Sequence, residues 1–490
     1  MNPIASSSSA FDYRLVRLFV LMAIAWGLLG MLAGLWLVAV LRWPMLDPGL
    51  EWLSFGRLRP AHGLMMLYGF AVNALFAISL FVVQRTAQVR LANPLFSGLT
   101  FWGLQAVVLL GALANIAGWG QGGLMFDLPW SLDLLLVLIW LAWIRQMFAT
   151  LGQRSRAPVY IANWFFIAFG VVVMVVQLFS SLALPINAGL LVSYPLFGGL
   201  PDGFLQQWQV HTLTWCLLAG SYVGALYYLL PRQLKRPLYS QALAIAHFWA
   251  LLPLSIWVGG SYLNWTPLPD WLGSIGTGFA LMLMAATLAG PLNAVLTLRG
   301  RERSALGDPV LRFLLVGTAM LVLFTLLGTL FALRGFSSSG LEMGWAGLQM
   351  HSLGLGWSAM LAFAVFYYLL PRIWETRVQR PAWVKWHLVL NIIGTGLYLA
   401  GQWLAAQALA EAQQRVDAAG NLMLGFRETL AAADSGNELR LIGGAVLLLG
   451  MLLLLANVLI TRARGVKDSR ELEQLLKARG KASLSGEAQA

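Results

Sequence analysis

Cysteine is almost absent from this chain: Cys216 is the single one in 490 residues. No intrachain disulfide, cysteine-held iron–sulfur cluster or C-x-x-C-H covalent haem attachment can therefore form. Charge is scarce as well. Asp, Glu, Lys and Arg make up 11% of the residues against 59% hydrophobic ones, and the mean hydropathy is +0.73. A soluble chain of this length needs far more polar surface, so that class is excluded. The long apolar runs carry no Asp, Glu or Lys at mid-depth, and Asp133, near the end of one run, is the deepest acid. This weighs against proton pumping and ion-coupled transport, which use such groups as relays. Period-two alternation is missing too, which excludes a membrane β-barrel.

What is present is a series of apolar runs, most of them longer than the ~20 residues that cross a bilayer as helix. Spans are expected near 16–41, 60–83, 94–117, 129–149, 157–182, 204–230, 241–260, 271–296, 309–333, 346–371, 384–405 and 440–460. The fold class is all-α, a polytopic membrane protein of about twelve helices. The net charge of +12 does not point to nucleic acid. Of the 32 Lys and Arg, 25 fall on the side of the N-terminus and 7 on the other when loops are assigned alternately. That is the positive-inside bias, so both termini are expected in the cytoplasm, with the chain in a bacterial inner membrane. The first span lacks a small-residue cleavage site and reads as an anchor. Residues 1–465 form the membrane domain, and 466–490 read as a charged, mobile cytoplasmic tail. The longest outer loop, 406–439, carries Gly, Asn and Asp breakers between weakly helical stretches.

An internal repeat orders the chain. YYLLPR occurs at 227–232 and at 367–372; His211 and His351 each precede its proline by 20 residues, and His247 and His387 follow it by 16. All are offset by 140 residues, or four helices, and a weaker third copy starts at His62. An offset of four preserves orientation and predicts a 4+4+4 parallel repeat, unlike the 6+6 of major-facilitator transporters.

Polar imidazoles are costly in a membrane helix unless they are paired or ligating. His62, His211 and His351 are expected within about two turns of the outer ends of helices 2, 6 and 10, and His247 and His387 at inner ends. Two neutral imidazoles at equal depth on different helices suit the two axial positions of a low-spin haem iron. Arg57, Arg59 and Arg440 run against the charge bias on the outer side and are candidate partners for haem propionates. A hydrogen-bonded core residue is the simpler reading of His211, and structural roles those of His247 and His387. Trp208, one turn before His211, is read as core packing.

The stretches FGRLRPAH (55–62), NALFAISLFVVQRT (73–86), YIANWFF (160–166), RPLYSQALAIAHFWAL (236–251), TPLPDW (266–271), DPVLRFL (308–314) and HSLGLGW (351–357) closely resemble the catalytic subunit of cbb3-type cytochrome c oxidases, within the haem–copper oxidase superfamily. The resemblance is near full length and implies twelve helices in three arcs of four. It also implies low-spin haem ligands at His62 and His351. The family's high-spin haem ligand, first of a His-x-His pair, falls on Gln349, and its copper histidines fall on His211, Ser261 and Tyr262. The family's tyrosine and glutamate fall on Ser255 and Leu327. One imidazole cannot hold copper in the geometry this chemistry uses.

The expected function is therefore a haem b electron-transfer or haem-sensing subunit of a respiratory complex, without copper or an oxygen-reducing centre. A c-type cytochrome facing the periplasm is the implied partner. Two alternatives stay open: an active terminal oxidase or nitric oxide reductase, and a haem-free scaffold or assembly subunit.

Overall fold

A computed structural model describes residues 11–120, 122–185, 193–264, 268–337 and 342–487. Twelve helices among the described residues are long and apolar enough to span a membrane. They are α1 Arg14–Arg42, α2 Phe55–Ala87, α3 Pro94–Ala117, α4 Trp130–Gly152, α5 Ile161–Ser180, α6 Leu200–Leu234, α7 Gln241–Leu263, α8 Asp270–Leu298, α9 Pro309–Ala332, α10 Gly347–Ile373, α11 Pro381–Gln413 and α12 Asp434–Ser469. The spans read from hydropathy fall on these twelve, with ends that differ by a few residues. Helix α2 starts five residues earlier than expected and α11 runs eight further, because polar first and last turns carry no hydropathy signal.

Two features lie outside the sequence reading. A short antiparallel hairpin, Ala183–Pro185 with Ser193–Pro195, sits between α5 and α6. The backbone of α12 continues as helix to Glu487, through the segment expected as a loose tail; residues 488–490 lie outside the described set. The outer loop behaves as its breakers suggest, with a bridge between Val416 and Leu422 and a short helix Phe426–Ala432.

Local chemistry sets the helix ends on the N-terminal face. Asn93 and Asp308 each accept a backbone N–H of the first turn, from Leu95 at 2.9 Å and Leu311 at 3.0 Å, with proline at the first helical position. Ser240 does the same for Leu243 at 3.0 Å. Each satisfies a donor that a helix start leaves free.

The structure contains three copies of one unit. Helices α2, α6 and α10 form the inner ring, with 94%, 100% and 89% of their apolar windows buried, against 39–61% for the other nine. Each contains one π-helical stretch, at Met65–Val72, Leu213–Gly220 and Ser352–Ser358. Gln88, Lys235 and Glu375 follow at matching positions; they are the only non-glycine residues with positive φ among those described. A matching latch closes each copy. Asn293 accepts from the Ser240 N–H at 3.2 Å and donates to its carbonyl at 2.8 Å, and Asn457 does likewise for Arg380 at 3.3 and 3.1 Å. Thr297 and Thr461 accept from Tyr239 and Gln379. In the first copy Gln146 and Thr150 take these places against Ala92 and Asn93. Helix α12 packs on α1 and closes the outer ring.

Candidate cofactor cavity

A cavity of about 760 Å³ lies among the inner helices and is walled by α1, α2, α6 to α10, Tyr398 of α11 and Leu447 of α12. Its lining is mainly apolar, and among the described residues Arg59 is the single charged side chain on it. A volume of this size and lining is typical of a site that buries an organic ligand.

His62 and His351 both line this cavity. The Nδ1 of His62 lies 2.7 Å from the Gly30 carbonyl, and the Nδ1 of His351 lies 2.8 Å from the Gly347 carbonyl. A carbonyl can only accept, so each Nδ1 carries the proton and each Nε2 keeps its lone pair. The two rings are thereby held in the tautomer that a metal ion takes. Position 34 is glycine for a packing reason: a Cβ there would lie 2.7 Å from Cε1 of His62.

The other three histidines are set differently. His211 is fully buried; its Nε2 donates to the Ser255 carbonyl at 2.7 Å, and its Nδ1 is buried without a partner. His247 and His387 meet the hydroxyls of Tyr227 and Tyr367 through Nδ1 at 2.8 and 3.0 Å. These two pairs are copies of one another, on the first tyrosine of each YYLLPR string. Trp208 donates to the Ile256 carbonyl at 3.2 Å, a contact within the helix packing.

Of the three outer arginines, Arg59 reaches the cavity wall. Arg440 donates to Asn437 at 2.9 Å and Tyr398 at 3.3 Å, stands over the Tyr398 ring, and keeps a buried Nε without a partner. Tyr398 is itself 5.2 Å from the His351 ring, centroid to centroid. Arg59 lies one turn before His62 on α2, and Arg440 reaches the tyrosine that packs on His351. Arg57 is not among the lining residues; it pairs with Glu51 at 2.8 Å and donates to the Ile116 carbonyl at 3.4 Å.

The far part of the cavity is lined by Ser261, Tyr262 and Gln349, with Trp215 and Thr329 beside them. The Tyr262 hydroxyl donates to the side-chain carbonyl of Gln349. The amide nitrogen of Gln349 rests against α9, where a Cβ on Gly328 would approach it to 2.3 Å. Ser261 and Ser255 donate to the carbonyls of Val258 and Leu252, both at 2.9 Å, and Cys216 Sγ lies 3.4 Å from Ser255 Oγ. Leu327 is a partly buried core residue of α9. Among the described residues no three His, Cys, Asp or Glu side chains come together as a metal-ion site.

The family model described as cytochrome C and quinol oxidase polypeptide I matches residues 14–446. The chain belongs to this family. Within it the chain is 36% identical over 453 residues to the cbb3-type cytochrome c oxidase subunit CcoN1 of Stutzerimonas stutzeri, covering 92% of this chain and 95% of that protein. It is 33% identical to cytochrome c oxidase subunit 1 of Rhodobacter capsulatus, covering 96% and 88%. A solved haem-copper terminal oxidase dimer shares the fold, with a TM-score of 0.72 over 91% of this chain and 84% of that one at 14% identity. The haem-copper oxidase subunit I architecture is thus common to these proteins, and the repeat, the membrane helices and the cbb3-type resemblance all agree with it.

Two features of the site have no counterpart in the sequence reading. The Tyr262–Gln349 bond joins residues 87 positions apart on different helices, and no spacing reveals it. The three π stretches are likewise silent in hydropathy, although each follows a member of the aligned histidine set by one to three residues. π-helical turns inside α-helices are frequent at functional sites, so the repeated histidine was the available signal.

Proposed function

We propose that the chain is a membrane electron-transfer or haem-sensing subunit that holds one low-spin haem b between His62 and His351 and does not reduce oxygen. The observation that carries this reading is the contrast between the histidines. His62 and His351 line one cavity with Nδ1 anchored and the Nε2 lone pair free, whereas His211 commits its Nε2 to a backbone carbonyl. The residues present fit a non-covalent haem b: two imidazoles from different helices, apolar walls, and the guanidinium groups of Arg59 and Arg440 near the imidazoles, with one buried Nε to spare. When bound, such a group supplies one-electron exchange. The protein's part is to keep the imidazoles neutral and oriented, to exclude water with Met, Leu and Phe walls, and to offset negative charge with the two arginines.

The residues at the second position do not fit a copper–haem centre. Gln349 offers an amide oxygen already bonded to Tyr262, and Ser261 satisfies its hydroxyl on its own helix. Copper sites of this kind rest on clustered imidazoles, and here a single one is near and it is engaged. The positive-inside bias supports cytoplasmic termini, which puts the His62 and His351 ends of α2 and α10 on the periplasmic side. A c-type cytochrome meeting that side is the natural electron partner.

An absorption spectrum of purified protein, with haem and metal analysis, tests the reading. Reduced protein is expected to show a low-spin b-type spectrum with about one haem per chain and no stoichiometric copper. His62→Ala or His351→Ala removes the signal and His247→Ala keeps it. One equivalent of copper, or oxygen turnover with an artificial donor, overturns the proposal in favour of an active oxidase. A chain that binds no haem is instead a scaffold.

A further inference from the structure

Helices α2, α6 and α10 end side by side on the N-terminal face, and their ends match residue for residue. Phe81, Tyr228 and Tyr368 hold the equivalent place in the three copies, and their rings meet around one axis. Centroids are 6.4 Å apart for Phe81–Tyr228, 6.1 Å for Phe81–Tyr368 and 6.1 Å for Tyr228–Tyr368, at interplanar angles of 80°, 88° and 85°. One turn further lie Arg85, Arg232 and Arg372, again in matching places, and all three are exposed. Arg232 and Arg372 stand over the Tyr228 and Tyr368 rings at 5.5 and 3.7 Å, and Arg85 over Phe11 at 5.0 Å. Tyr13 links Phe11 to this floor, stacking on Phe11 at 6.2 Å and on Phe81 at 5.1 Å between centroids. The three guanidinium groups therefore rim one aromatic floor.

None of the three has a carboxylate within 4 Å among the described residues. Asp12 and Asp308, adjoining the first and second copies, are engaged by the Arg14 N–H at 2.9 Å and by Gln233 at 3.1 Å. Arg17 adds a fourth cation beside the third copy, donating to the Ile373 carbonyl at 2.6 Å. Capping three helix C-termini explains part of this charge, since each terminus carries about half a negative charge. The rim also stands on the three most buried helices of the molecule.

We propose that this rim binds a multiply charged phosphate compound, a nucleoside triphosphate or inorganic polyphosphate, from the solution on the N-terminal face. A terminal phosphate has three equivalent oxygens, and three guanidinium groups at matching helix ends suit it better than a planar carboxylate, Arg372 doing so with the nitrogens left after Nη1 donates to the Tyr368 carbonyl at 2.6 Å. The aromatic floor keeps the rim dry on its inner side, which strengthens each charge-assisted bond.

The test is titration of the purified full chain, in neutral detergent at fixed ionic strength, with sodium tripolyphosphate, followed by calorimetry and thermal unfolding. Saturable one-to-one binding and a raised unfolding midpoint are expected. The triple change Arg85→Gln, Arg232→Gln, Arg372→Gln weakens binding more than tenfold. Arg301→Gln with Arg303→Gln, equally exposed and on the same face, leaves it unchanged. Should the triple variant not fold, Arg372→Lys keeps the charge, loses the fork and weakens binding severalfold. Absence of saturable binding overturns the proposal, as does equal loss in the Arg301 and Arg303 variant, which would mean diffuse charge. Displacement of tripolyphosphate by phosphatidylglycerol in mixed micelles would assign the rim to a lipid headgroup and overturn the soluble ligand.

Discussion

The hydroxyl of Tyr262, at the end of α7, donates to the side-chain carbonyl of Gln349 on α10. This bond crosses the cavity where the family resemblance implies ligands to copper and to a second haem. It couples two residues at positions that the resemblance marks as ligand sites and makes them one polar crossbar. Tyr262→Phe leaves the Gln349 amide oxygen without its donor. A lost buried hydrogen bond of this kind costs about 1–3 kcal/mol, and thermal unfolding in detergent measures it. The absorption spectrum is expected to stay as in the wild type, because His62 and His351 are untouched.

Gly34 offers a sharper probe of the proposed haem site. Its missing side chain leaves room for the edge of His62, and an added Cβ would sit 2.7 Å from Cε1. Gly34→Val is expected to tilt the imidazole, lengthen its bond to Gly30 and reduce bound haem, read as a lower haem-to-protein ratio at unchanged yield of folded protein. Gly56→Val, where an added Cβ would meet nothing within 4 Å, serves as the control.

The tyrosine–histidine pairs belong to the repeat and not to the cavity. Tyr367→Phe removes the bond to His387, and Tyr227→Phe the one to His247. Each is expected to cost about 1–3 kcal/mol of stability. Neither is expected to shift the absorption spectrum or its midpoint potential. A spectral change from either would tie the inner-face pairs to the cofactor.

The proposed electron route predicts a salt effect. The cavity lies toward the face of Arg59 and Arg440, and contacts between redox partners are small and partly electrostatic. Stopped-flow oxidation of the reduced protein by a periplasmic c-type cytochrome is expected to slow as ionic strength rises from about 10 to 150 mM, as screening shortens from about 30 Å to 8 Å. Faster oxidation by an acceptor on the N-terminal face would reverse the direction.

Much of this protein is legible in one dimension. Twelve apolar runs must become helices, because a bilayer offers the backbone no other partner. The YYLLPR copies 140 residues apart set the parallel repeat, and the scarcity of His and Cys narrowed the ligand candidates to a few positions. The same sequence could not say which imidazole nitrogen is free. That depends on a carbonyl brought from α1 for His62, from the previous turn for His351 and from α7 for His211. Nor could it reveal the first copy of the repeat in full, since Gln146 does by a longer amide what Asn293 and Asn457 do. Hydropathy and spacing record what each residue prefers locally. Tautomer, crossbar and aromatic axis arise where distant helices meet, and only packing in three dimensions decides them.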